Sequence, residues 1–111
     1  MPMEAKTPRE LFEKVLPLRF NPDKAKGVDV TVQVNITGPN GGTWTVVIKD
    51  QKLEAKEGTN SSPTIAITMD ETEYINVING KISAEKAFFM GKIQFKGNIA
   101  LALKLRELGL L

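Results

Sequence analysis

The stretch VDVTVQVNIT, residues 28–37, alternates apolar and polar side chains without a break. Successive side chains of a β-strand point to opposite faces, so this alternation predicts a strand with one buried face and one wet face. Such strands are typical of antiparallel sheets that are covered on one face only. The predicted buried face carries Val28, Val30, Val32, Val34 and Ile36.

Four further strands are predicted along the chain. The turn residues GPNGG (38–42) lead into TWTVVIKD (43–50), and this order indicates an antiparallel hairpin. The glycine cluster is not typical of a phosphate-binding loop, because such loops open onto a helix and this one opens onto a strand. Shorter strands are predicted at QKLEAKEG (51–58), where lysines indicate a sheet edge, at TIAITM (64–69) and at KIQFK (92–96).

Capping residues predict four helices. TPRE at residues 7–10 combines a threonine cap, a proline at the first helical position and a glutamate three residues after the cap. Asp70, with Glu73 reaching back, and Ser83 are the predicted caps of the second and third helices, which Gly80 and Gly91 end. The predicted helices cover about residues 8–18, 71–79, 84–90 and 99–108.

The chain contains no histidine and no cysteine. It therefore lacks the commonest general base and metal ligand, and it cannot form a disulfide, a zinc thiolate site or a thiol nucleophile. Its one tight acidic cluster is Asp70, Glu71 and Glu73, and the place of this cluster at a helix start favours capping over catalysis or metal binding. We therefore expect no catalytic residue, no metal, no cofactor and no enzymatic activity.

The length and composition are those of one globular domain, residues 1–111, with 41% hydrophobic and 25% charged residues. The net charge is only +2, and acids lie between the lysines, so nucleic-acid binding is not expected. No stretch suits a signal peptide or approaches the ~20 apolar residues of a membrane span. We expect a soluble, cytoplasmic protein.

The lysines of the C-terminal third leave one question open. They could attract an anionic membrane surface by ~1 kcal/mol each, or they could serve only to keep the protein in solution. Their spacing does not by itself bring them onto one face, so we favour the second role and at most transient membrane contact. These residues are Lys81, Lys86, Lys92, Lys96 and Lys104.

Apolar residues are in surplus between Ala87 and Leu108. Phe88, Phe89 and Met90 follow one another, and the last helix is apolar around much of its circumference, whereas a surface helix needs only one apolar stripe. Either a partner covers this surplus or the protein encloses an apolar cavity.

Two other aromatic residues suit the core. Trp44 alternates with Val46 and Ile48 on the buried face of the second strand. Tyr74 lies on the apolar side of the second helix, where we expect its ring to pack inward and its hydroxyl to point outward.

The segment ITMDETEYINVINGKISAEKAFFMGKIQFKGNIALALKL, Ile67 to Leu105, resembles the sterol carrier protein-2 family of small lipid-carrier domains. The resemblance depends on the order of the motifs. A strand and a capped helix come first, followed by GK and by KAFF-x-GK. A short strand that ends in KG-N and a helix with A-x-KL complete the order. The elements before this segment fit in order and length. Met90 replaces the glutamine that animal members often carry. The chain also ends at LGLL without their Ser-Lys-Leu peroxisomal address, which favours a compact bacterial or archaeal stand-alone form.

The resemblance implies an α+β fold: a five-stranded, mostly antiparallel sheet in the order 3-2-1-4-5, with helices packed on one face. It implies an apolar tunnel that binds and transfers sterol, fatty acid, fatty acyl-CoA or phospholipid without catalysis. We expect a monomer rather than a dimer. The alternative is a protein-interaction or dimerisation module that uses the apolar C-terminal surface. The residues assigned to the tunnel are Trp44, Val46, Met69, Ile75, Ile78, Phe88, Phe89, Met90, Ile93, Phe95, Ile99, Leu101, Ala102, Leu103 and Leu105.

Adjacent residues of a helix diverge by about 100°. We therefore expect Phe88 and Phe89 to separate, one packing into the core and the other facing the ligand. Leu101, Leu103 and Leu105 should separate in the same way around the last helix.

Overall fold

A computed structural model describes residues 4–59, 62–108 and 110 of the chain. One sheet has the strand order β3-β2-β1-β4-β5. Strands β1 and β4 pair in parallel, and every other neighbouring pair is antiparallel. The predicted strand order and the mostly antiparallel sheet are therefore confirmed. The strands are β1 (Val30–Thr37), β2 (Gly42–Lys49), β3 (Lys52–Glu57), β4 (Ile65–Asp70) and β5 (Gln94–Lys96).

The first helix, α1, contains a widened turn. It runs through three consecutive segments, Pro8–Glu10, Leu11–Val15 and Leu16–Arg19, and the middle one is a π-helical turn in which the Leu16 N–H donates to the Leu11 carbonyl. Proline inside a helix lacks an N–H and crowds the carbonyl four residues earlier. A widened turn directly before Pro17 accommodates this defect, which the capping pattern does not predict.

Three other helices and one short turn complete the fold. The helices α2 (Glu71–Ile78), α3 (Ala84–Phe89) and α4 (Ile99–Glu107) agree with the predicted positions. A 3₁₀ turn, Pro22–Ala25, which the sequence patterns do not predict, connects α1 to the sheet. Within the described part of the chain, no helix combines the length and the apolar character needed to cross a membrane.

The alternation of β1 appears in the structure as alternating burial. Val30, Val32, Val34 and Ile36 are buried beneath the helices, and the side chains between them are half-buried on the open face of the sheet. The strand begins at Val30, two residues later than predicted. Val28 precedes it because the Val28 N–H donates to the Ala25 carbonyl at 3.0 Å, which holds Val28 in the bend that follows the 3₁₀ turn.

Phe12 lies between two other aromatic rings at the centre of the core. Its ring stacks on Trp44 of β2 with a centroid distance of 5.0 Å and on Tyr74 of α2 at 6.1 Å. The Tyr74 hydroxyl donates to the Leu110 carbonyl at 3.0 Å and is fully buried. The predicted core position of Tyr74 is right, but its predicted outward hydroxyl is wrong, because the C-terminal residues fold over it and accept its proton.

The aromatic stack predicts a large effect of truncating Phe12. Phe12→Ala should lower the free energy of unfolding by ~3 to 5 kcal/mol, since it removes a buried ring and leaves a cavity between Trp44 and Tyr74. Leu18→Ala is the matched control, because Leu18 is also on α1 but 69% exposed, and it should change the same quantity by less than ~0.5 kcal/mol. Urea unfolding followed by Trp44 fluorescence measures both, and similar losses in the two variants would contradict the stack's role.

Burial of Tyr74 predicts a loss of stability at alkaline pH. Burial raises the pKa of Tyr74 well above its ordinary value of 10.0, so above pH 10 the unfolded chain releases the phenol proton while the folded chain keeps it. The unfolded state then binds fewer protons, and the free energy of unfolding falls as pH rises. Between pH 10 and 11 the wild type should lose about 1 kcal/mol more than Tyr74→Phe does, measured by urea unfolding.

The same ionisation is visible directly, because Tyr74 is the chain's single tyrosine. Tyrosinate absorbance should appear only as the protein unfolds. A spectrophotometric titration of folded protein with a midpoint near pH 10 would contradict the buried hydroxyl.

Candidate functional site

A sharp reversal after α3 brings that helix next to β5. The Ser83 hydroxyl begins α3 by accepting from the Lys86 N–H at 3.1 Å. At its end the Gly91 N–H donates to the Phe88 carbonyl and the Lys92 N–H to the Ala87 carbonyl, at 3.0 and 2.9 Å. Gly91 has a φ of 75°, which glycine adopts without steric cost. Since Lys92 closes this helix end, β5 begins two residues later than predicted.

An ion pair holds the segment just before β5 against α2. The Lys92 Nζ lies 2.8 Å from the Glu73 Oε1, and both side chains are largely screened from solvent. Asp70 caps α2 as predicted, accepting from the Thr72 N–H at 3.0 Å. The expected reach of Glu73 back to that cap is replaced by its contact with Lys92, which the sequence spacing does not reveal.

Glycine also permits the turn from β5 into α4. Gly97 has a φ of 132°, and a Cβ at this position would lie 3.0 Å from the Thr64 carbonyl oxygen. The Asn98 side chain then begins α4 by accepting from the Ala100 N–H at 2.8 Å. The result is that α4 returns beside α3.

A half-open groove of about 240 Å³ lies between α3, β5 and α4. Ile93 and Phe95 form its floor, where Ile93 is buried and Phe95 is half-buried. The other lining residues are Ala84, Glu85, Phe88 and Phe89 of α3 and Ala102, Leu103 and Arg106 of α4.

The walls of the groove expose large apolar side chains. Phe88 is 44% exposed, Phe89 is 87% exposed and Leu103 is 58% exposed. The two phenylalanine rings meet edge to face with a centroid distance of 6.3 Å. Ala87, which precedes them in the sequence, is fully buried.

The predicted separation of Phe88 and Phe89 between core and ligand is wrong, because neither ring packs into the core. α3 is only six residues long and turns its small residue Ala87 inward, so both rings remain on the groove side. On the last helix, by contrast, burial does differ: Leu105 is buried, Leu101 is half-buried and Leu103 is exposed.

Two opposite charges lie at the rim. Arg106 and Glu85 form an ion pair that connects α4 to α3, and both side chains are about half exposed. Glu85 is in the first turn of α3 and Arg106 is in the last turn of α4. Each charge therefore also complements the dipole of its own helix.

The structure brings part of the predicted ligand set together and leaves the rest elsewhere. The groove collects Phe88, Phe89, Ile93, Phe95, Ala102 and Leu103. The closed core contains Trp44, Val46, Met69, Ile78 and Leu105, with Ile75 and Leu101 packed half-buried against it. Met90 is 54% exposed outside the groove. The Ile99 side chain lies outside the described residues. A ligand role stays a prediction for all of these residues, inside the groove and beyond it.

Sequence reasoning missed three lining residues: Ala84, Glu85 and Arg106. A spacing of four residues in a helix could have identified two of them, because it places Ala84 beside Phe88 and Glu85 beside Phe89. Arg106 is three and four residues after Leu103 and Ala102, so the same rule applies to α4. No sequence pattern indicates that the two helices lie side by side.

Other clefts in the described structure are more polar than this groove. One lies on the open face of the sheet beside β3, around Thr45 and Lys56. Another lies between the turn at Asn40 and the start of α2. Among the described residues, no group of three or more acidic side chains is arranged to hold a metal ion. The apolar groove is therefore the candidate functional site.

The chain is similar to parts of longer curated proteins. Bovine hydroxysteroid dehydrogenase-like protein 2 is 31% identical over 87 residues, which cover 78% of this chain and 21% of that protein. Human sterol carrier protein 2 is 35% identical over 75 residues, covering 66% of this chain and 14% of that protein. The chain thus spans about a fifth or less of these curated relatives.

A solved structure of similar size has the same fold. The solution structure of palmitated SCP2L2 from Aedes aegypti matches with a TM-score of 0.68 and 29% identity, covering 88% of this chain and 90% of that one. The model of the SCP-2 sterol transfer family matches residues 12–109. Because this match extends over nearly the whole sequence, the chain belongs to the SCP-2 sterol transfer family.

Proposed function

We propose that this protein binds hydrophobic lipids in the groove between α3, β5 and α4 and transfers them without chemical change. The observation that carries the proposal is the exposure of Phe88, Phe89 and Leu103 around an apolar space. Membership of a sterol transfer family and the palmitated state of a relative with this fold support it. Candidate ligands are fatty acid, fatty acyl-CoA, sterol and phospholipid.

The lining of the groove suits hydrocarbon. Its side chains are aliphatic or aromatic except at the Glu85–Arg106 rim. Covering an exposed aromatic side chain contributes roughly 1.5 to 3 kcal/mol of hydrophobic free energy. A lipid chain that covered Phe88, Phe89 and Leu103 would gain this free energy without breaking any contact of the core.

The size of the groove implies that a ligand enlarges it or remains partly outside. Pockets for drug-sized ligands usually have about 300 to 1,000 Å³, and this groove has about 240 Å³. Phe89 has most of its surface in solvent, so it can change rotamer with little loss of packing. The ring would then serve as a movable wall.

A second candidate function uses the same exposed residues in a different way. Phe89, Met90 and Leu103 could be covered by a second copy of the chain rather than by lipid. Met90 favours this candidate, because it is exposed outside the groove, where a bound lipid would not reach it. Sedimentation velocity distinguishes the two: a stable dimer that binds no lipid would replace the lipid-binding proposal.

The exposed groove residues should contribute little to folding. Phe89→Ala and Leu103→Ala should each change the free energy of unfolding by less than ~1 kcal/mol, because the removed atoms contact mainly solvent. Urea unfolding without ligand measures this, and Phe12→Ala serves as the core reference. A loss near 3 kcal/mol in Phe89→Ala would mean that the ring packs into the core.

Lipid binding should depend on these same residues. Phe89→Ala and Leu103→Ala should each weaken palmitate binding by about tenfold, which corresponds to ~1.4 kcal/mol of lost ligand contact. Leu18→Ala removes a similarly exposed side chain of α1 and should leave the affinity unchanged. Displacement of a fluorescent fatty acid measures all three. Equal effects at Leu18 and Phe89, or no displacement by any lipid up to its solubility, would contradict the proposal.

A further inference from the structure

The groove has one charged end. Among the described residues that line it, Glu85 and Arg106 carry the charges, and the other side chains are hydrocarbon. Glu85 lies one turn before Phe89 in α3, and Arg106 lies one turn after Leu103 in α4. Since Glu85 contacts Arg106, this pair sits at one end of the groove, with Phe89 and Leu103 toward the other.

We infer that the groove selects single-chain lipids with a terminal carboxylate, and that Arg106 binds this carboxylate. The inference rests on the proposed function and narrows it to long-chain fatty acids. The hydrocarbon chain would lie against Phe88, Phe89 and Leu103, and the carboxylate would lie at the end where Glu85 and Arg106 meet.

The chemistry of the guanidinium allows a second carboxylate to join the first. Arg106 has five N–H donors in a fixed plane, and one carboxylate occupies at most two of them. The pair with Glu85 is about half exposed on both sides. Such pairs contribute little net stability, so Arg106 can share or exchange its partner easily. Glu85 then acts as an internal competitor of the ligand.

The same geometry disfavours uncharged head groups. A hydroxyl makes a weaker hydrogen bond to a guanidinium than a carboxylate does, because charge on both partners shortens and strengthens the bond. An alcohol of the same chain length would fill the same apolar space but gain little from Arg106. The difference in affinity between acid and alcohol therefore isolates the contribution of this residue.

A purely structural role for the ion pair is the competing explanation. Glu85 and Arg106 could simply hold α3 beside α4. In that case removing either charge would loosen the groove and weaken every ligand to the same extent. A contact with the ligand would instead change the affinity for the acid alone.

The test measures equilibrium binding of radiolabelled palmitate and radiolabelled hexadecanol to the full chain. Arg106→Gln should weaken palmitate binding by about tenfold and change hexadecanol binding by less than about twofold. Arg106→Lys should have a palmitate affinity between those of the wild type and Arg106→Gln, since the ammonium keeps the charge but not the planar donors. Glu85→Gln should strengthen palmitate binding by about threefold, because the competing carboxylate is gone.

Arg9→Gln is the matched control. Arg9 also pairs with a glutamate, Glu57, at 2.8 Å and is exposed to a similar extent, but it lies on α1 away from the groove. This variant should bind both lipids as the wild type does.

Each other outcome overturns the inference. Equal losses for palmitate and hexadecanol in Arg106→Gln, with a lower urea midpoint, would make the pair a structural link between helices. Unchanged palmitate binding in Arg106→Gln would exclude the carboxylate contact. If the wild type binds neither lipid, the proposed function itself fails, whereas binding of both lipids with equal sensitivity refutes only the role of Arg106.

Discussion

The fold depends on Phe12, because its ring is the contact that joins the sheet to two helices. One side of the ring stacks on Trp44 of β2 and the other faces Tyr74 of α2. Tyr74 extends this connection to the C-terminal residues through its hydrogen bond to the Leu110 carbonyl. Interiors this closely packed contain few voids larger than a water molecule. The centre of the sheet is therefore filled by the protein's own side chains, and the groove proposed for lipid lies elsewhere.

That groove lies at the β5 edge of the sheet, where the short strand leaves a space between α3 and α4. β5 contains three residues, and the turns at Gly91 and Gly97 connect it to the helices before and after it. The Lys92–Glu73 pair fixes this edge to α2. α3 contributes Ala87 to the core, so its two phenylalanines face outward. The packed core around Phe12 thus positions a small, exposed apolar groove at the β5 edge of the sheet.

Local patterns in the sequence predict the elements well and their contacts poorly. The alternation around Val32 and the cap at Asp70 depend on neighbouring residues only, so both are predicted correctly. The strand order follows from the family resemblance and not from any periodicity. The partner of the Tyr74 hydroxyl is 36 residues away, and the pairing of Glu85 with Arg106 depends on how two helices pack. Such contacts arise from tertiary structure. For the same reason the sequence reveals the surplus of apolar residues but does not reveal that Phe88 and Phe89 face outward.

The position of the groove also explains how the proposed lipid site can be empty without a loss of stability. If a space of this size were a closed, dry cavity in the core, the mutational coefficient of ~24 cal/mol per Å³ would make it cost about 6 kcal/mol. That figure is comparable to the whole stability of a typical domain, ~5 to 15 kcal/mol. A half-open groove avoids this cost, because water can occupy it when no lipid is present. Phe89 and Leu103 are already exposed in that state, so ligand binding adds apolar contacts to a fold that is complete without them. Under the proposed function, uptake and release of a lipid then require movement of side chains at the rim and leave the stack around Phe12 intact.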